Sequence, residues 1–195
     1  MSEDDIAGLL AAAARNDQEA WDTLVTRFNR LLWSIARGFR LDDSAAADAV
    51  QTTWLRLVDN LDRIAEPERL GGWLGTTMRR ECLRILRSAR REAPSTVPEW
   101  LDDTPSGGRP LDADLLDNER DAALWRAFGM LNERCQRLLR VLMASPPPSY
   151  ADVSAALDVP IGSIGPTRQR CLRQLQRVAL ADGVLSDPDN RGARP

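Results

Sequence analysis

The chain has neither histidine nor lysine among its 195 residues, a single tyrosine and three cysteines. Without histidine there can be no Ser-His-Asp or Cys-His nucleophile, no imidazole base and no histidine-containing zinc or haem site. Cys82, Cys135 and Cys171 are far apart and show no CxxC spacing. Such an odd, scattered set argues against a disulfide framework and fits three small buried hydrophobes in a reducing compartment. No metal and no cofactor is expected. The longest apolar run, residues 6–14, is too short to span a bilayer. It follows Glu3, Asp4 and Asp5, which carry the wrong charge for a signal peptide. The expectation is a soluble cytoplasmic protein with no membrane partner.

What is present reads as globular: 43% hydrophobic and 28% charged residues, too apolar for wholesale disorder. The formal net charge of −3 excludes a uniformly basic coat, so any nucleic-acid site must be a local basic patch. All 26 positive residues are arginine. Arginine suits phosphate and base-edge contacts, although the base composition of the coding DNA accounts for an arginine-only chain more cheaply.

Helical periodicity dominates, and no segment sustains apolar–polar alternation. The pattern predicts helices over 4–15 and 18–38, the latter capped by Asp17 and stopped by Gly38, with Ala20, Leu24, Phe28, Leu31, Leu32 and Ile35 as its apolar stripe. A third helix is expected over 44–61, with Val50, Trp54, Leu57 and Val58 on one face, and a fourth over 67–91, opened by Pro67. Six prolines and glycines then fall between residues 92 and 118, where no apolar face recurs and acids prevail. This is the composition of a flexible, solvated linker. Helical pattern resumes at 119 and again after Asn132, a residue suited to an N-cap. Ser149 and Asp152 form a capping-box pattern for a short helix ending near Leu157, and a last helix is expected over 163–179 with Ser163 as N-cap. The fold class is therefore all-α. Two small helical domains, 1–91 and 119–180, are joined by a flexible acidic linker over 92–118 and followed by a frayed tail over 181–195. Neither domain is large enough to be strongly stable alone.

Two helices carry single-sign faces. Six arginines (79, 80, 84, 87, 90 and 91) stand against one acid, Glu81, in the fourth helix, and Arg80, Arg84, Arg87 and Arg91 are spaced to share one side. Such a row is costly in self-repulsion unless a polyanion neutralises it, which favours nucleic acid over a merely solvated face. The last helix carries Arg168, Arg170, Arg173 and Arg177 and no acid. Residues 150–157, the turn Asp158-Val159-Pro160 and the helix that follows have the form of a helix-turn-helix, with Val153, Leu157, Ile161 and Ile164 fixing one helix against the other. Its second helix would enter the major groove, where Thr167, Gln169 and Arg170 could reach bases. Pro166 is compatible with that helix if Ser163 caps it, since a proline in the first turn forfeits no intrahelical bond.

Taken in order, these segments resemble a known family. Asp48-Ala-Val-Gln-Thr-Thr-Trp-Leu-Arg-Leu is similar to the polymerase-gripping signature of bacterial sigma factors. Arg69-Leu-Gly-Gly-Trp-Leu-Gly-Thr-Thr-Met-Arg-Arg resembles the promoter-melting segment that follows it, and residues 149–164 resemble the C-terminal helix-turn-helix region. With two modules only, the chain is similar to the extracytoplasmic-function (ECF) branch of the sigma-70 family. The first module then corresponds to sigma region 2 and the second to sigma region 4. The resemblance implies that Asp48, Gln51, Thr52, Leu55 and Arg56 dock on the β′ clamp helices of core RNA polymerase. It implies that Arg63, Arg69, Trp73, Arg79, Arg80, Arg84 and Arg87 receive the −10 element of promoter DNA. Trp73 would stack on a base or, as helical spacing more often indicates, belong to the core, and Trp54 is open to the same core reading. The second module would sit on the polymerase β flap and present Ser163, Gly165, Pro166, Thr167, Arg168, Gln169, Arg170 and Arg173 to the −35 element. The acidic linker would lie along the path of template or RNA. An anti-sigma factor is a further partner open to such a chain. Gly165 and Pro166 replace residues that are basic in many relatives, Arg80 stands where asparagine is frequent, and Asn132 stands where proline is usual. The first two departures leave the −35 contacts and the preferred −10 base open, and the third exchanges one helix starter for another.

A stand-alone helix-turn-helix repressor or activator is the alternative, but it would usually need a dimer seam, and no heptad pattern supplies one. An enzyme is not expected. The adjacent pairs Asp42-Asp43 and Asp102-Asp103 have no supporting catalytic groups and read as caps or loop solvation.

Overall fold

A computed structural model describes residues 5–92 and 119–181, and everything there is helix, turn or loop. Eight α-helices follow in order: α1 (Ile6–Ala13), α2 (Gln18–Gly38), α3 (Asp43–Val58), α4 (Leu70–Glu92), α5 (Glu119–Gly129), α6 (Glu133–Leu142), α7 (Tyr150–Leu157) and α8 (Ile161–Ala181). No β-strand occurs among the described residues, and none of their helices is long and apolar enough to cross a membrane. The expected linker and tail, with the roles assigned to their acids, lie outside the described residues.

The helix starts follow from short polar side chains that satisfy otherwise orphaned amides. Asp5, Asp17, Asp42 and Asn132 each accept from the backbone N–H three residues on. Ser149 and Asp152 close the reciprocal capping box that their spacing predicts. At the C-terminal end of α2 the left-handed residue is Arg40 (φ 56°), while Gly38 is the last helical residue. Gly38 is needed for a different reason. A Cβ there would stand 2.8 Å from Cγ of Arg137 on α6.

Helix α2 is the spine. Its predicted stripe is buried along its full length, and it packs against α1, α3, α4 and α6. The two expected domains do not stand apart, because α7 lies directly on α4 and α6 on α2. Leu70, Leu74 and Met78 of α4 share one core with Leu138 and Val141 of α6, Val153 and Ala156 of α7, and Ile164 of α8. Close approach is possible because α4 offers glycine at the contact. A Cβ on Gly75 would come within 3.0 Å of Cβ and 3.3 Å of Cα of Ala156. Ion pairs flank the seam, Arg79 to Asp158 at 2.7 Å and Arg40 to Glu133 at 3.2 Å. Each small module thus gains from the other the apolar cover that neither could supply itself.

A second, smaller core of Phe128, Leu131, Cys135, Leu139 and Cys171 joins α5, α6 and α8. Here the expectation for the cysteines is corrected. Cys135 and Cys171 form a disulfide, with Cα atoms 5.3 Å apart. Their 36-residue separation hid a juxtaposition that helix packing creates. Cys82 is free and buried, as expected. Two further corrections concern helices. Val58 is 51% exposed instead of facing the core. Helix α8 begins at Ile161, not after Ser163, because left-handed Asp158 turns the chain early. Ser163 therefore lies inside the helix with its hydroxyl donating to the Pro160 carbonyl. Pro166 falls beyond the first turn, where its missing N–H leaves the Gly162 carbonyl without its usual partner.

Candidate nucleic-acid interface

Three outward faces carry the residues singled out in the sequence. On α3, Asp48, Gln51, Leu55 and Arg56 are exposed and Thr52 is half-buried. Their positions fall one helical turn apart, so they form a single strip. Leu55 is 56% exposed and lies beside exposed Val58, which gives the strip an apolar centre. Trp54 and Trp73 are partly buried against the main core, as the core reading of each requires.

Arg56 is tethered. Glu81 of α4 is buried and receives Arg56 at 2.7 Å and Arg84 at 2.8 Å. A carboxylate removed from water needs such partners, and it fixes the α3 strip relative to the basic face of α4. Sequence reading counted Glu81 as a lone acid among arginines. Only the fold shows that it joins two proposed contact surfaces.

On α4, Arg80, Arg84 and Arg87 are exposed along one side, and among the described residues neither Arg80 nor Arg87 has an ion-pair partner. Arg79 is turned from that row toward Asp158 in the turn between α7 and α8. Arg63 and Arg69 are exposed in the two 3₁₀ turns that connect α3 to α4. The structure brings Arg80, Arg84 and Arg87 together and leaves Arg79 occupied by the second module.

On α8, Arg168, Gln169, Arg170 and Arg173 project outward with exposed Pro166, while Ser163, Gly165 and Thr167 are half-buried. Among the described residues no acid pairs with Arg168, Arg170, Arg173 or Arg177, so the outer face of α8 presents uncompensated positive charge. The inner face is anchored by Ile164, Cys171 and Ala179. Helices α7 and α8 meet through the turn that pattern predicts, with Asp158 left-handed at φ 56°.

Sequence reading missed a cavity of about 560 Å³ between α2 and the second module, lined by Trp33, Trp125, Phe128 and Met143 and by Arg30, Arg37 and Arg140. Arg140 lies over the Phe128 ring at 5.0 Å. Burial, followed by repulsion from Arg37 and Arg40, pushes its guanidinium below the ordinary arginine range. Nothing in the linear spacing of these residues brings them together. Among the described residues no cluster of three or more cysteine, aspartate or glutamate ligands could hold a metal ion.

Residues 24–92, which contain most of α2 and all of α3 and α4, match the family model described as sigma-70 region 2. Two solved structures share the fold. One is the structure of CnrH in complex with the cytosolic domain of CnrY, at 20% identity and a TM-score of 0.58, covering 92% of this chain and 99% of that one. The other is the sigma factor RpoE in complex with the anti-sigma factor NepR from Bartonella quintana, at 20% identity and a TM-score of 0.55, covering 83% and 98%. No curated protein sequence matches the chain.

Proposed function

We propose that this chain, a member of the sigma-70 family, is a sigma factor of the ECF type. As a promoter-specificity subunit it would bind core RNA polymerase and direct transcription initiation. The observation that carries this reading is the sigma-70 region 2 match over residues 24–92 in a chain whose second module ends in a helix-turn-helix with an uncompensated basic face. A stand-alone regulator would have no use for the first module, so that alternative is not favoured.

In this reading the strip Asp48, Gln51, Thr52, Leu55 and Arg56 meets the β′ clamp helices, with exposed Leu55 as its apolar anchor. Arg63, Arg69, Arg80, Arg84 and Arg87 hold the phosphates of the −10 region, and Arg79 joins them once released from Asp158. Capture of unstacked bases offsets part of the cost of opening the duplex. Helix α8 reads the −35 element through Gln169 and Arg170, and Arg168 and Arg173 supply phosphate contacts that set register. The chain performs no catalysis, because the polymerase makes the phosphodiester bonds, and the protein acts in the cytoplasm. The second solved relative is held by an anti-sigma factor, and control by a partner of that class is part of the proposal.

The test is run-off transcription with purified core polymerase on a randomised promoter library. Discrete transcripts sharing an upstream and a downstream element are expected only when the chain is present. A chain that fails to associate with core, or that associates without selecting promoters, overturns the reading.

A further inference from the structure

The disulfide lies at an informative place. Cys171 is in the middle of α8 and fully buried, while Arg168, Arg170 and Arg173 around it on the same helix are exposed. Cys135 is the third residue of α6, in its first turn, with its N–H held by the Asn132 cap. Together they form the centre of the small core under α8. That core has little else, since only Phe128, Leu131 and Leu139 are buried around the two sulfurs, and Trp125 and Leu175 cover it partly. Of α8 itself, only Ile164, Cys171 and Ala179 are buried. The covalent bond is therefore a large part of what fixes the helix that carries the reading side chains. Disulfides that form in a reducing compartment tend to be transient and sensing.

We propose that Cys135 and Cys171 are a redox modification site, and that oxidation to the disulfide locks α8 onto α6 in the orientation that presents Arg168, Gln169, Arg170 and Arg173. The consequence for promoters and the reducing setting rest on the reading above, whereas the chemistry and the locking do not. The oxidant is a hydroperoxide. Cys135 is the attacking residue because the N-terminal turn of a helix favours a thiolate. Its sulfur displaces alkoxide or hydroxide from the peroxide and becomes a sulfenic acid. The Cys171 sulfur then attacks that sulfur, the S–S bond forms, and the displaced hydroxide leaves as water with the Cys171 proton. Reduction needs a dithiol. One thiolate attacks Cys135 and releases Cys171, and the second closes the reagent's own disulfide and releases Cys135. Both sulfurs are buried, so each direction proceeds through a local opening of the small module.

The parent chain provides the central comparison of the test, since no lysine is present and trypsin must cut at arginine. The four arginines of α8 therefore report its opening. Samples treated with hydrogen peroxide or with dithiothreitol are alkylated and weighed to count free thiols, then digested briefly under native conditions. Oxidation is expected to protect Cys135 and Cys171 from alkylation. It is also expected to slow cleavage within α8 by about tenfold or more, and Cys171→Ser is expected to cut at the fast rate in both treatments. Cys82→Ser is expected to behave as the parent. Two free thiols at these positions after peroxide, or equal cleavage rates in the two states, overturn the proposal. Run-off transcription on the same samples separates the two claims. A redox-dependent cleavage rate without transcripts in either state supports the lock and counts against the promoter reading. Transcripts with redox-independent cleavage do the reverse.

Discussion

Glu81 shows how one side chain can serve two surfaces. It is only 3% exposed, and its carboxylate is satisfied by Arg56 and Arg84 from two different helices. Both arginines are half-exposed or more, so water can solvate them if the charge is lost. Glu81→Gln is therefore expected to cost about 1–2 kcal/mol, below the larger penalty for stranding a fully buried partner. Thermal unfolding should show this as a fall in Tm of about 3–6 °C. An unchanged Tm would mean that the bridge contributes nothing net. Its neighbour Cys82 gives a pH signature. Burial pushes that thiol from 9.0 up to about 12. Between those values the unfolded chain has released a proton that the native state still holds, so stability falls as pH rises from 9 toward 12 and is unaffected below 9. With no lysine and one tyrosine in the chain, few other groups obscure that window. Urea unfolding at pH 8, 10 and 11 should show the loss in the parent and a flatter profile in Cys82→Ala.

At the level of elements, α8 is where function and local rules conflict. Arg170 is exposed beside Gln169 on the proposed reading face, and Arg173 lies one turn further along. Arg170→Ala is expected to relax preference at one upstream base position by about 1–3 kcal/mol. Arg173→Ala is expected to weaken all sequences alike and to lower the slope of log affinity against log salt by about 1. Binding to a panel of single-base variants at several salt concentrations distinguishes them. If Arg170→Ala weakens every sequence equally, that residue contacts phosphate. The helices themselves were legible because their causes are local. Asp17, Asp42, Asn132 and the Ser149–Asp152 box announce starts, and the α2 stripe has an unbroken helical period. The start of α8 was misplaced because Ser163 is a good cap by type, but the left-handed turn at Asp158 had already committed the chain at Ile161. The α4 row was readable for the same local reason, as residues on one helix face, whereas the α3 strip came from the family resemblance alone. The Cys135–Cys171 bond, the Glu81 bridge and the arginine-lined cavity were not. Each joins residues from different helices, and no periodicity within one helix encodes that.

For the whole molecule, the proposed function raises the question of how one closed body would meet two promoter elements. Elements centred at −10 and −35 are about 25 base pairs apart, about 85 Å along B-form DNA. A compact chain of this length has a radius of gyration of about 16 Å and is about 40 Å across. With α7 seated on α4 and Arg79 held by Asp158, the two basic faces cannot span that distance. In the proposed function the shared core must therefore part when polymerase binds, exchanging the α4–α7 contact for contacts on the larger enzyme. The seam depends on small residues, so a larger one should open it with the helices of each module still formed, at a cost in stability from the core they share. Gly75→Leu places a side chain where even a Cβ would be 3.0 Å from Ala156, while leucine is the better helix former by roughly 1 kcal/mol. Small-angle scattering of the free chain should then show a larger radius of gyration with helical content unchanged by circular dichroism. Affinity for core polymerase should hold or rise, because opening no longer opposes binding. A variant that stays as compact as the parent while remaining folded would show that the seam absorbs the side chain. The closed form would then be held elsewhere, at the Arg40–Glu133 and Arg137 contacts between α2 and α6.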